Sequence, residues 1–80
     1  MPSSMMTRYR NLAGDSGVRR YRIEPQAIAV EFVDGSHYLY TAASAGAEAI
    51  ARMQALARAG RGLATYINRH AHDAYARKLK

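Results

Sequence analysis

Side chains that could do chemistry are few in this sequence, and most of them are basic. Histidines stand at 37, 70 and 72, acids at 15, 24, 31, 34, 48 and 73, and there is no cysteine. The missing thiols exclude disulfides, thiolate metal sites, iron–sulfur clusters and cysteine nucleophiles together. None of the six acids is paired at a spacing that serves general acid–base work, and nothing local couples a serine to a histidine as nucleophile and base. Gly60-Arg61-Gly62 separates two helical patterns instead of following a strand, so it is not a phosphate-cradling loop. His70 and His72 are two apart, which on a helix turns them roughly 200° from each other. They therefore do not share an ion unless the helix breaks there, and His70 is expected to be a packed histidine with one hydrogen bond. The expectation is a protein that is not an enzyme and holds no metal or cofactor.

The basic residues are more informative. The net charge is +6 and the isoelectric point is near 10.2. Residues 1–40 carry five arginines against four acids, whereas residues 41–80 carry five arginines and two lysines against Glu48 and Asp73. A basic half in so short a chain points to an anionic partner. Two clusters stand out. Arg61, Asn68, Arg69, Arg77 and Lys78 fall on the outer face of a second helical pattern, where arginines can fork onto phosphate and Asn68 can read a base edge or sugar hydroxyl. Arg19, Arg20 and Arg22 mark the first strand, interleaved with Tyr21. The competing reading of the helical cluster is a solvated face laced by Arg69–Asp73 and Asp73–Arg77 pairs. For the strand it is a charged edge that blocks aggregation.

The elements that position these residues follow from periodicity. Residues 1–17 read as a flexible tail, with Gly14 to Gly17 turn-prone and no regular period before them. Residues 18–80 read as a single domain. Tyr21 and Ile23 alternate with Arg20 and Arg22, and Glu24-Pro25-Gln26 supplies a turn. Ile28, Val30 and Phe32 share one face of a second strand. Val33-Asp34-Gly35-Ser36 signals a hairpin into a third strand, His37 to Thr41. A two-residue loop would set His37 and Leu39 beside Val30 and Phe32, whereas a three-residue loop with Gly35 at the left-handed bulge position would set Tyr38 and Tyr40 there. The second is preferred because it gathers one apolar face. An open face then carries Ala29, Val33 and Leu39. Ser44 reads as the N-cap of a first helix with Ile50, Met53, Leu56 and Ala57 on its stripe, ended by Gly60-Arg61-Gly62. A second helix runs from about Leu63 towards Arg77, with Leu63, Tyr66, Ile67, His70, Ala71, Ala74 and Tyr75 as its stripe. The fold expected is α+β: a three-stranded antiparallel β-meander followed by two helices packed on one sheet face.

The order of these pieces resembles the KTSC domain, a short module found at the C-terminus of some lysyl-tRNA synthetases and also as stand-alone proteins. The matching segments are Val18 to Ile23, Val30-Glu31-Phe32-Val33-Asp34-Gly35, Tyr38-Leu39-Tyr40 and Tyr66-Ile67-Asn68-Arg69-His70, and the resemblance covers residues 18 to about 72. The resemblance implies no assigned activity, and its link to a tRNA enzyme implies RNA contact by association.

The function expected is that of a small non-catalytic basic module that binds nucleic acid, RNA before DNA, through Arg61, Asn68, Arg69, Arg77, Lys78, Arg20 and Arg22. The alternative is a protein-interaction or homodimerisation module using the open sheet face. Polar and basic residues interrupt Met1 to Leu12, so no secretory signal is expected, and no apolar run approaches membrane length. The expected location is the cytoplasm.

Overall fold

The computed structural model describes residues 6–12, 14 and 16–79. The chain builds a five-stranded antiparallel sheet in the order β1-β2-β3-β4-β5: β1 (Thr7–Arg8), β2 (Val18–Glu24), β3 (Ala27–Phe32), β4 (His37–Thr41) and β5 (Arg77–Lys78). The helices are α1 (Ala42–Ala45), α2 (Ala47–Ala59) and α3 (Leu63–Tyr66), the last continuing into a π-helical turn over Ile67–Ala71. This is the expected α+β class, with two more strands than the meander alone.

The β3–β4 hairpin takes the three-residue loop. The Gly35 N–H donates to Phe32 O at 2.9 Å and the Phe32 N–H to Ser36 O at 2.9 Å. Gly35 has φ +91°, a value that costs glycine nothing. Asp34 Oδ1 tightens the loop by accepting from the Ser36 N–H at 2.9 Å and the Ser36 hydroxyl at 2.6 Å. The resulting register sets Tyr38 against Val30 and Tyr40 against Ile28. On the other side, the two-residue Pro25-Gln26 turn sets Tyr21 against Val30 and Ile23 against Ile28. Gln26, at φ +55°, takes the left-handed value needed at the second position of a type II turn. All these side chains lie on one sheet face.

The helices cover that face. Thr41, not Ser44, is the N-cap: the Ser44 N–H donates to Thr41 Oγ1, and the Thr41 N–H donates to Ser44 Oγ. This reciprocal box moves the helix start three residues upstream of the expected cap. Gly46 ends the single turn of α1 and begins α2, which buries Ile50, Met53 and Ala57. Gly60 then closes α2 in the left-handed conformation. The core is Tyr9, Val18, Ile28, Val30, Tyr40, Ile50, Met53, Ala57, Leu63, Ile67 and Ala71.

Two expectations fail, for related reasons. Within the expected tail, Thr7 and Arg8 pair with Tyr21 and Arg20, and Tyr9 is 3% exposed. Tyr9 fills the space beside α3, and its hydroxyl accepts the Leu63 N–H at 3.2 Å, satisfying one of the orphan donors of that helix. Met1 to Met5, Ala13 and Asp15 lie outside the described residues. At the other end, the second helix stops at Ala71 instead of running towards Arg77. Its buried positions, Leu63, Ile67 and Ala71, recur every four residues, the spacing that suits a widened turn. His70 is thereby exposed, stacked on Tyr66 with ring centroids 4.8 Å apart, not packed in the core. Beyond the helix the chain reverses and pairs with the free edge of β4, where the Ala76 and Leu79 N–H groups donate to Leu39 O and His37 O. Tyr75 packs against Tyr38 and Tyr40, at centroid distances of 4.7 and 6.3 Å. An edge with unpaired backbone groups and an aromatic ledge competes with continued helix, and here it wins.

Candidate nucleic-acid interface

Cross-strand partners share a sheet face, so the register lays out the side away from the helices as two rows. The first row is Arg8, Arg20, Glu31 and His37, running from β1 to β4. The second is Arg22, Ala29, Leu39 and Arg77, running from β2 to β5. Strict alternation would send Arg19 to the core side with Tyr21. A register shift between Val18 and Arg20 intervenes, and both Arg19 and Arg20 reach the same carboxylate. A bulge re-aims a side chain in this way, and it brings a fifth arginine to the face.

The carboxylate is that of Glu31, which is 7% exposed. Arg20 Nε lies 3.4 Å from Oε1, Arg19 Nη1 3.8 Å from Oε2, and His37 Nε2 3.4 Å from Oε2. The two guanidiniums are half-exposed, so these pairs add little stability. Their effect is positional: one buried anion holds two cationic forks against the sheet and leaves their outer N–H groups in solvent. Arg22 donates to Glu24 Oε2 at 2.6 Å. Arg8 and Arg77 have no side-chain partner among the described residues. Ala29, flanked on its face by Arg22 and Leu39, is buried.

The residues expected at a nucleic-acid interface are therefore divided. Arg20, Arg22 and Arg77 meet on the open face, joined by Arg8, from the segment expected to be a tail, and by Arg19. Arg8 was hard to find because a two-residue strand carries no period. Arg77 belongs to β5 and not to the outer face of a helix. Arg61, Asn68 and Arg69 are exposed on the helical side, where Arg61 and Asn68 border one hollow of about 230 Å³ beside Tyr9. Lys78 sits on the core side of the edge strand, its ammonium 5.8 Å from the centre of the Tyr38 ring, a cation–π distance. Asp73 pairs with His72 at 2.9 Å rather than with Arg69 or Arg77, since the helix that would align them has ended. Val33, expected on the open face, lies in the hairpin loop and is 62% exposed.

A second concavity, of about 410 Å³, lies between the β3–β4 hairpin and the segment after the π turn, walled by Phe32, Tyr38, Tyr40 and Tyr75. Burial pushes the Tyr40 hydroxyl up to about 12, with Tyr38 and Tyr75 adding to the effect. At the mouth, the two hydrogen bonds from Ser36 hold the Asp34 carboxyl below its ordinary value, helped by Lys78. Among the described residues no three histidines or acids come together as an ion site, and no helix is long and apolar enough to cross a membrane. Comparison with family models, with curated proteins and with solved structures finds no match for this chain.

Proposed function

We infer that this chain is a small non-catalytic module that binds single-stranded RNA across the open face of its sheet. The observation that carries the reading is the gathering of Arg8, Arg19, Arg20, Arg22 and Arg77, from three different strands, on one face where Glu24 and Glu31 are the only acids among the described residues. Guanidiniums fork onto phosphate oxygens, and contacts of this kind bind by releasing counterions. The charge lies on a flat sheet and not on a helix that could enter a duplex major groove, which favours a single strand. No tyrosine or phenylalanine lies in either row, so the bound bases have no stacking platform there and recognition rests on the backbone. The resemblance to the KTSC domain supports RNA over DNA, and the cysteine-free sequence supports a cytoplasmic setting.

The test is fluorescence anisotropy of labelled single-stranded RNA, tRNA and duplex DNA over a salt series, with heparin as polyanion control. Single-stranded RNA is expected to bind more tightly than heparin, and the salt slope is expected to fall by about one for each phosphate contact removed by Arg20→Ala or Arg77→Ala. Equal, heparin-like binding to every probe would reduce the +6 charge to a generic attraction and end the RNA reading.

A further inference from the structure

The first row of the open face carries an excess of charge that backbone binding does not explain. Arg8 and Arg20 are direct cross-strand partners, an arrangement in which like charges repel. The bulge brings Arg19 to the same place, although an unbroken strand would have kept it away. Among the described residues one anion, Glu31, stands beside these three cations, and it pairs with Arg19 and Arg20. It is buried, and its oxygens are shared among Arg19, Arg20 and His37. The three guanidiniums line a single hollow of about 460 Å³, with Met6 as its apolar wall. Three cations set against one carboxylate leave two positive charges facing that hollow.

We propose that this hollow is a binding site for a phosphomonoester, the terminal phosphate of a single-stranded RNA, a proposal that rests on the RNA reading above. A phosphomonoester carries a charge of about −1.5 to −2 at neutral pH and offers three strong acceptor oxygens, which matches two uncompensated charges and three planar forks. An internal phosphodiester carries a single charge and leaves one of the two positive charges uncompensated. Glu31 acts as a positioning residue: it draws the guanidiniums of Arg19 and Arg20 to one point while Arg8, without a partner among the described residues, closes the third side. Arg22 and Arg77 continue the basic face beyond the hollow, so the chain attached to the phosphate meets further cations, which favours a nucleic acid over a phosphorylated peptide.

The experiment uses the full chain and one short RNA sequence made with a 5′-phosphate, with a 3′-phosphate and with hydroxyl ends. One of the phosphorylated forms is expected to bind about tenfold more tightly than the hydroxyl-ended form, since hydrogen bonds between charged groups are stronger than neutral ones. Arg8→Ala removes an exposed edge side chain and is expected to abolish the preference while melting like the parent. Arg52→Ala, an exposed change of equal charge on α2, is expected to preserve it. Inorganic phosphate is expected to erase the preference and leave hydroxyl-ended RNA bound, which separates a free phosphate from an RNA end. If all three RNAs bind equally, the terminal-phosphate site is wrong and the RNA reading stands. If no RNA binds but a phosphoserine peptide or inorganic phosphate does, both are wrong.

Discussion

Single side chains hold this fold together at points that periodicity does not mark. Gln54 Nε2 donates to both Glu24 O and Ala27 O at 2.9 Å, tying α2 to the Pro25 turn. Gln54→Ala strands two backbone acceptors and is expected to destabilise the protein by about 1–2 kcal/mol, read as a lower urea midpoint. Tyr9→Phe removes only the hydroxyl that accepts from Leu63, and about 1 kcal/mol is the expected loss. Tyr40 sets a pH limit. Its hydroxyl is raised from 10.0 to about 12, so the fold favours the neutral form. That contribution is complete below pH 10 and drains away as the pH climbs towards 12. Chemical denaturation at rising pH is expected to show a shallower fall in stability for Tyr40→Phe than for the parent, and parallel curves would refute the assignment. Neither Gln54 nor Tyr9 was legible as a structural clamp, because each acts across a separation of dozens of residues and their partners are backbone groups.

At the scale of elements, the meander was legible and its extensions were not. Asp34-Gly35 and Pro25-Gln26 specify their loops through local backbone preference, and two adjacent loops fix the register of three strands. The β1 and β5 strands have two residues each and exist because β2 and β4 offer free edges, a tertiary cause with no local signature. The same blindness separated the expected site residues onto two sides of the fold. Alternation correctly put Arg20 and Arg22 on the open face, but the bulge at Arg19 and the strand at Arg77 depend on pairing. Gly60 shows how α2 and the N-terminal segment depend on each other. Its φ is +81°, and a Cβ there would stand 2.8 Å from the Cβ of Arg10, whose guanidinium also donates to Arg58 O. Gly60→Ala is expected to cost about 1–2 kcal/mol for the left-handed backbone alone. It should also push the Arg10–Leu12 segment off the helix end, visible as faster hydrogen exchange at the Leu12 N–H, which otherwise donates to Gly60 O.

For the whole molecule, the two faces of the sheet divide the labour. One is spent on the core, where a domain of this size has little surplus burial. The other is coated with arginines and keeps Ala29 covered, so the apolar open face imagined for a homodimer is reduced to a half-buried Leu39. The charge imbalance between the halves of the sequence suggested that the C-terminal half would bind. In the folded chain, four of the five arginines on the open face come from the first half. Charge counted along a chain says that an anionic partner is plausible. Only the pairing of strands says where it would lie.

The two shortest strands supply opposite margins of the arginine face, Arg8 from one and Arg77 from the other. Two-residue strands fray readily, because each is held by few backbone bonds. A bound polyanion would bridge both margins and couple their closing, so occupancy and edge order become one equilibrium. Ligand should then slow amide exchange at Tyr9, Ala76 and Leu79 together, although these groups lie on opposite borders of the sheet. In that sense the face would act as a clasp, fastened at both ends by the polyanion proposed to lie across it.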